Sequence, residues 1–480
     1  MYIFMNHPFT FLLIAVLMVK CSSSETTSDD VNVIPPDTNT SYSNVDLYVT
    51  KADQSELFQL QSTKVPAYSD NSNFSIDVDP EITYQEMDGF GYSLTGGSAE
   101  HLHNMSDAAR TEILDDLFNA NQTGVSYLRI SIGASDLDAE AFSYNDLADG
   151  ETDINLTQFS IAKDQDHLIP ILKEILAINP DIKLMGSPWS APTWMKTNGN
   201  SIGGSLKPEY YAVYAKYFVK YLQAYQAEGI TIDAITVQNE PLHDGNNPSM
   251  YMEALDQAEF VKHYLGPEFE AYNLETKIVV WDHNADNPSY PITIFSDPEA
   301  NAYVDGSAFH LYNGSIENLS TVHNAYPDKN LYFTEQWVGV NSDFDDNLLW
   351  HTRELIIGAT RNWCKTVLEW NLASDSNLEP HTDGGCTECL GALTIDGDTV
   401  KKNVAYYIIA HASKFVRPGS VRIQSNYHTD LPNVAFKTPT GNVVVIVVNN
   451  TSVNKSFNIN TPTESISTAL DAGSVGTYIW

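Results

Sequence analysis

Short apolar runs alternate with longer amphipathic stretches from about Asp88 to Val416. The runs read as strands at Phe90–Leu94, Tyr127–Ile132, Ile182–Gly186, Ala234–Val237, Lys277–Trp281, Gly306–His310, Leu331–Thr334 and Thr366–Trp370. Between them the apolar positions return with helical spacing, as in Glu209–Glu228 (EYYAVYAKYFVKYLQAYQAE). A strand followed by a helix, repeated eight times, predicts an α/β chain whose core is a (β/α)8 TIM barrel. Outside this region the helical spacing is absent. Val45–Val49 and Phe74–Val78 read as strands before it, and Val421–Ile423, Val434–Lys437, Asn442–Val448, Ser456–Ile459 and Thr477–Trp480 after it. The two outer sets are expected to join in one β-sandwich attached to the barrel. The chain then divides into a signal peptide (1–20), a tether (21–44), N-terminal sandwich strands (45–82), the barrel (83–416) and C-terminal sandwich strands (417–480).

Composition narrows the partners. The 480 residues are 42% hydrophobic, enough for a large core, and carry a net charge of −37. A surface this acidic repels phosphate backbones, so nucleic acid is a poor partner, and it suits solubility in salt. The apolar run Phe9–Val19 is shorter than the ~20 residues of a membrane span and fits the core of an export signal. Cys21 follows it after Lys20, in the position of the lipidated cysteine of an exported lipoprotein, although Lys20 stands where such signals carry a small residue. Membrane attachment is expected through that lipid alone. Cys386 and Cys389 form a C-x-x-C within the Gly-rich stretch His381–Gly391, where a local disulfide stapling the loop is expected rather than a redox helix. Cys364 reads as a buried thiol in an apolar helical stretch. No His, Asp or Glu cluster shows metal-ligand spacing, and no cofactor is implied.

Catalytic groups in a barrel sit at the C-terminal ends of its strands. The fourth predicted strand runs into Asn239-Glu240-Pro241 and the seventh into Glu335-Gln336-Trp337. One glutamate at a strand end can be a helix cap or half of an ion pair. Two of them, on strands facing each other across the mouth and with an asparagine beside the first, point to acid and nucleophile on either side of a glycosidic bond. Pro241 stiffens the turn after Glu240. Aromatic residues follow other strands: Trp189 and Trp194 after the third, His310 and Tyr312 after the sixth, Trp370 at the eighth. A lone tryptophan is most often core; aromatic and polar residues together at three strand ends suit the apolar C–H faces and hydroxyls of a sugar.

The segments Asp88–Gly91, Arg129–Asp136 (RISIGASD), Ser187–Thr197 (SPWSAPTWMKT), TVQNEP, FHLY, FTEQWVG and EWNLA resemble glycoside hydrolase family 30, in the same order from Asp88 to the C-terminus. The resemblance implies a retaining β-glycosidase with Glu240 as acid/base and Glu335 as nucleophile. It implies sugar contacts from Arg129, Asp136, Trp189, Asn239, His310, Tyr312 and Trp370. Asp136 matches the residue that grips glucose hydroxyls far from the anomeric carbon, which favours glucose over xylose. Two departures, Thr95-Gly96-Gly97 and Trp337, fall on the aglycone side and argue against a ceramide substrate. The expected substrate is β-1,6-linked glucan. A broad β-glucosidase or glucosylceramidase is the alternative, and a non-catalytic surface glycan-binding protein is the alternative of another class. With Glu335 charged, Glu240 is expected to titrate well above it, giving a bell-shaped pH profile.

Overall fold

The computed structural model describes residues 42–66 and 71–480. The expected signal peptide, the expected lipidation of Cys21, and all but the end of the stretch read as tether lie outside the described residues. Among the described residues no helix is long and apolar enough to cross a membrane.

Eight parallel strands close into a barrel: Gly89–Ser93, Tyr127–Ser131, Lys183–Ser187, Ala234–Thr236, Lys277–Asn284, Val304–His310, Asn330–Glu335 and Cys364–Asn371. Each pairs with its neighbours in sequence, and the eighth closes on the first. They are referred to below as the first to the eighth barrel strand. Helices return the chain between strands, among them Leu168–Ile178, whose apolar face Leu168, Ile169, Ile171, Leu172 and Ile175 is buried, and Tyr211–Ala227. The first helix, Gly96–Asn104, is capped by Thr95, whose hydroxyl accepts the Ser98 N–H. Cys364 is buried but does not sit in a helix. The preceding helix ends near Thr360, Trp363 turns the chain at φ +77°, and Cys364 starts the eighth strand.

Inward-pointing residues alternate along each strand and form layers across the barrel. A lower layer is Tyr127, Met185, Ala234, Val279, Ala308, Tyr332 and Leu368. Two residues further along six of these strands stand Arg129, Ser187, Thr236, His310, Thr334 and Trp370, so the apolar floor carries a largely polar layer above it. The fifth strand breaks the rhythm. Period two would bring Trp281 inward after Val279. Instead Trp281 and Asp282 both have positive φ (+72° and +64°), the register shifts there, and Asp282 enters the polar layer while the Trp281 ring packs on Tyr290.

The flanking strands make one nine-stranded sheet in the order Gln59–Pro66, Tyr42–Lys51, Ser474–Ile479, Val443–Val448, Asn433–Lys437, Val421–Ser425, Phe74–Glu86, Lys455–Asn460, Ser465–Leu470. It folds over a core of Val45, Leu47, Ile76, Ile423, Phe457, Ile459 and Tyr478, giving the sandwich built from both ends of the chain. The first of its strands begins at Tyr42, inside the stretch read as tether. The strand Val443–Val448 is apolar at every position because both of its faces are covered. Val443, Val445 and Val447 face the sandwich core, and Val444, Ile446 and Val448 face the barrel helices. Buried His411 adds a polar pin at this seam, its ring nitrogens 2.8 Å from the hydroxyls of Thr50 and Thr477.

Candidate active site

At the C-terminal mouth of the barrel a cavity of about 350 Å³ is lined by Asp136, Trp189, Glu240, Tyr312, Glu335, Trp337 and Trp370, among others. A larger cavity, about 530 Å³, lies around the opposite end near Asp88, Lys183 and Asp233; it holds no facing pair of buried glutamates.

Glu335 is the last residue of the seventh strand, and Glu240 follows the fourth in a turn that places it at φ +44°. Non-glycine residues with positive φ are strained and persist where surrounding contacts fix them. Here the Glu240 N–H donates to the Asp282 carbonyl at 3.0 Å, and the His243 N–H donates to the Glu240 carbonyl at 2.8 Å. One carboxylate oxygen from each glutamate and a ring nitrogen of His310 lie within 4.8 Å of one another. Sequence spacing showed no such cluster, because its members come from three strands. Retaining glycosidases hold their carboxyls about 5–5.5 Å apart and inverting ones about 6.5–9.5 Å, so this geometry fits retention.

The two glutamates have different surroundings. Arg129 Nη1 donates to Glu335 Oε2 at 2.6 Å, and the Tyr312 hydroxyl donates to Oε1 at 2.9 Å. Glu240 Oε1 lies 3.0 Å from His310 Nδ1 and 3.8 Å from His283 Nε2. Beneath both stands Asp282, fully buried. Its Oδ2 accepts from Arg129 Nη2 at 2.8 Å, Thr236 at 2.7 Å and Ser187 at 3.2 Å; its Oδ1 accepts from Thr334 at 2.6 Å and lies 3.2 Å from His310 Nε2. Arg129 also donates to Asn239 Oδ1 at 2.6 Å, which orients the asparagine beside Glu240, and to Ser187 at 3.0 Å. Its guanidinium lies 4.7 Å from the Trp189 ring, which in turn packs 5.4 Å from Trp370.

These contacts set the charges. Burial would raise Asp282, but Arg129 and His310 outweigh it and hold the carboxyl well below its ordinary range. Burial would lower His310; the carboxylates of Glu335, Asp282 and Glu240 around it instead push its pKa up to about 9. Burial raises Glu335 above the usual glutamate value, against the pull of His310 and Arg129. For Glu240 the same burial is outweighed by the hydrogen bond and charge of His310, and its pKa is lowered. The expected order, Glu240 well above Glu335, is therefore inverted. The cause is an imidazole that the sequence reading treated as a sugar contact and not as a charge. The proton belongs to the Glu240–His310 couple as a pair.

The structure brings Arg129, Asp136, Trp189, Asn239, Glu240, His310, Tyr312, Glu335 and Trp370 to this one mouth. Trp194 is buried against the Asn145 carbonyl and Tyr210, away from the cavity lining. Sulfur atoms of Cys386 and Cys389 are 2.06 Å apart, and both residues line the cavity. Sequence reasoning missed Asp282, His283 and Asn284. The signal was present: they directly follow the apolar run of the fifth strand, where strand-end chemistry is expected.

Comparison with known proteins gives the same picture. The glycosyl hydrolase family 30 TIM-barrel domain matches residues 87–416, and that family's beta sandwich domain matches residues 419–478. An endo-1,6-beta-D-glucanase of Neurospora crassa is 36% identical over 374 residues, covering 75% of this chain and 77% of that one. The lysosomal acid glucosylceramidase of Mus musculus is 28% identical over 452 residues, covering 88% and 86%. Among solved structures, the endo-beta1,6-glucanase BT3312 superposes with a TM-score of 0.86 at 37% identity, over 91% of this chain and 99% of that one.

Proposed function

The chain belongs to glycosyl hydrolase family 30, and from that premise we propose that it hydrolyses β-1,6-linked glucan with retention, using Glu335 as nucleophile and Glu240 as acid/base. The carrying observation is the pair of strand-end glutamates whose oxygens approach within 4.8 Å, one held by Arg129 and Tyr312 and the other by His310. In the first step a Glu335 oxygen attacks the anomeric carbon. The bond to the leaving oxygen breaks, its electron pair stays on that oxygen, and Glu240 delivers the proton drawn from its couple with His310. In the second step water attacks the same carbon, Glu240 takes the water's proton, and the bond to Glu335 breaks. Asp136, Trp189 and Trp370 form the wall against which the reacting glucose rests. Likeness to endo-1,6-beta-glucanases at 36% and 37% identity supports the linkage. A linear β-1,6-glucan is expected to be cut about 100-fold faster than β-1,3- or β-1,4-glucans at equal mass. Similar rates on all three, or activity confined to aryl β-glucosides, would replace this reading with that of a broad β-glucosidase.

The same reading sets the pH dependence. Glu335 must be ionised to attack, and burial places its carboxyl above the ordinary 4.5, so activity falls as acid protonates it. The Glu240–His310 couple must hold a proton, so activity falls as pH rises through about 9. A kcat/KM profile on an aryl β-glucoside should therefore show a bell with its alkaline limb near pH 9. An alkaline limb near pH 6 would place the proton elsewhere. Export to the cell surface belongs to this reading, supported by the apolar run Phe9–Val19 and the acidic composition; a lipid on Cys21 would keep the enzyme there.

A further inference from the structure

The loop after the eighth strand connects the glycone wall to the segment that follows the nucleophile. Its Thr382 N–H donates to the Asp136 carbonyl at 2.9 Å, and its Cys386 N–H donates to Asp136 Oδ2 at 3.3 Å. That N–H is the one hydrogen-bond donor from elsewhere in the chain that reaches the Asp136 carboxylate among the described residues. At its far end, Cys389–Leu390 pairs antiparallel with Val338–Gly339, just past Glu335. Cys389 clusters with Leu137, Trp189 and Trp370, and Cys386 and Trp337 pack against that cluster. The contact with Asp136 is close: a Cβ on Gly385 would stand 2.4 Å from the Asp136 carbonyl oxygen. Only Thr387 and Glu388 separate the contact with Asp136 from the pairing with Val338–Gly339, and the Cys386–Cys389 disulfide closes that interval.

We propose that the Cys386–Cys389 disulfide is a positioning device for Asp136, fixing the carboxylate that separates glucose from sugars lacking its exocyclic hydroxymethyl group. The inference rests on the proposed contact of Asp136 with hydroxyls remote from the anomeric carbon. With the disulfide open, Cys386 is joined to Cys389 only through the backbone of Thr387 and Glu388, and its N–H is no longer held at a fixed place beside the carboxylate. Burial pushes the Asp136 carboxyl up to about 7, and the Cys386 N–H on its Oδ2 is the donor that orients it. Selectivity should therefore respond more than stability does.

The test compares the oxidised protein, the protein reduced with a phosphine, and the double variant Cys386→Ala/Cys389→Ala. Kinetics of 4-nitrophenyl β-glucoside and 4-nitrophenyl β-xyloside are measured on each. Opening the disulfide is expected to raise KM for the glucoside and to lower the glucoside-to-xyloside ratio of kcat/KM by about tenfold. A staple that only stabilises the loop would lower Tm and leave the ratio unchanged. A ratio within about twofold of the oxidised protein's, with the fold intact by circular dichroism, overturns the proposal. Should both open forms unfold, Gly385→Ala decides, since it displaces the loop from Asp136 with the disulfide closed; an unchanged ratio there also overturns it. Absence of glucoside hydrolysis by the oxidised protein would count instead against the proposed function.

Discussion

Glu335→Ala is expected to lower turnover of an aryl β-glucoside by about 10⁵-fold, the size of loss that follows removal of a catalytic nucleophile. The argument is geometric. Glu335 is the carboxylate beneath which Arg129 and Tyr312 converge, so it is the one pre-oriented to form a bond. Removing it leaves space on the nucleophile's face of the sugar, and added azide should restore turnover with the α-glucosyl azide as product. Glu240→Ala should behave differently. It should lose little on substrates whose leaving group needs no proton, and azide should give the β-glucosyl azide, because the glycosyl-enzyme still forms. The β product from the Glu335 variant, or no rescue in either, would reverse or abolish these assignments. Glu335→Ala also takes from buried Arg129 one of its two carboxylate partners, so it should melt below the parent, while circular dichroism shows the barrel intact.

A second large effect is expected from a residue that need not touch the sugar. Asp282→Ala should cost roughly 3–5 kcal/mol of stability, because it leaves the guanidinium of Arg129 buried and short of one of its two carboxylate partners. The hydroxyls of Thr236 and Thr334 and the ring of His310 would lose their acceptor in the same change. Activity should fall by about 10²-fold as well, since Arg129 and His310 are the two groups that place Glu335 and Glu240. Asp282→Asn keeps the shape and should unfold at a higher denaturant concentration than the alanine variant while remaining slow. Denaturant unfolding together with kcat on an aryl β-glucoside reads both effects. A variant as stable and as active as the parent would mean that Asp282 does not organise the site.

Much of this was legible in the chain. The barrel strands are short apolar runs, and each observed strand overlaps its expected segment, because a parallel strand covered on both faces leaves a continuous apolar signature. Glu240 and Glu335 were legible because barrel chemistry collects where strands end. The edge strand Ser465–Leu470 was not, since SISTAL alternates weakly and half of it faces solvent. Asp282 was missed for a related reason. The two consecutive positive φ values at Trp281 and Asp282 shift the inward phase by one residue, and no periodicity written for regular strands anticipates that shift. The inverted ionisation of Glu240 was hidden in a different way. It depends on which side of His310 faces which carboxylate, a three-dimensional fact with no trace in spacing.

The strand Val443–Val448 carries a consequence for how this chain can be inherited or cut. Its odd-numbered residues serve the sandwich core and its even-numbered ones serve the barrel. A catalytic barrel separated from the last 60-odd residues would therefore present to water the apolar face of the Thr352–Ala359 helix against which Val443–Val448 lies. The two segments are distinguishable as families of sequence, yet they share one hydrophobic interior. A barrel moved alone by recombination is therefore expected to aggregate, which would tie the small sandwich to the enzyme as a condition of its folding.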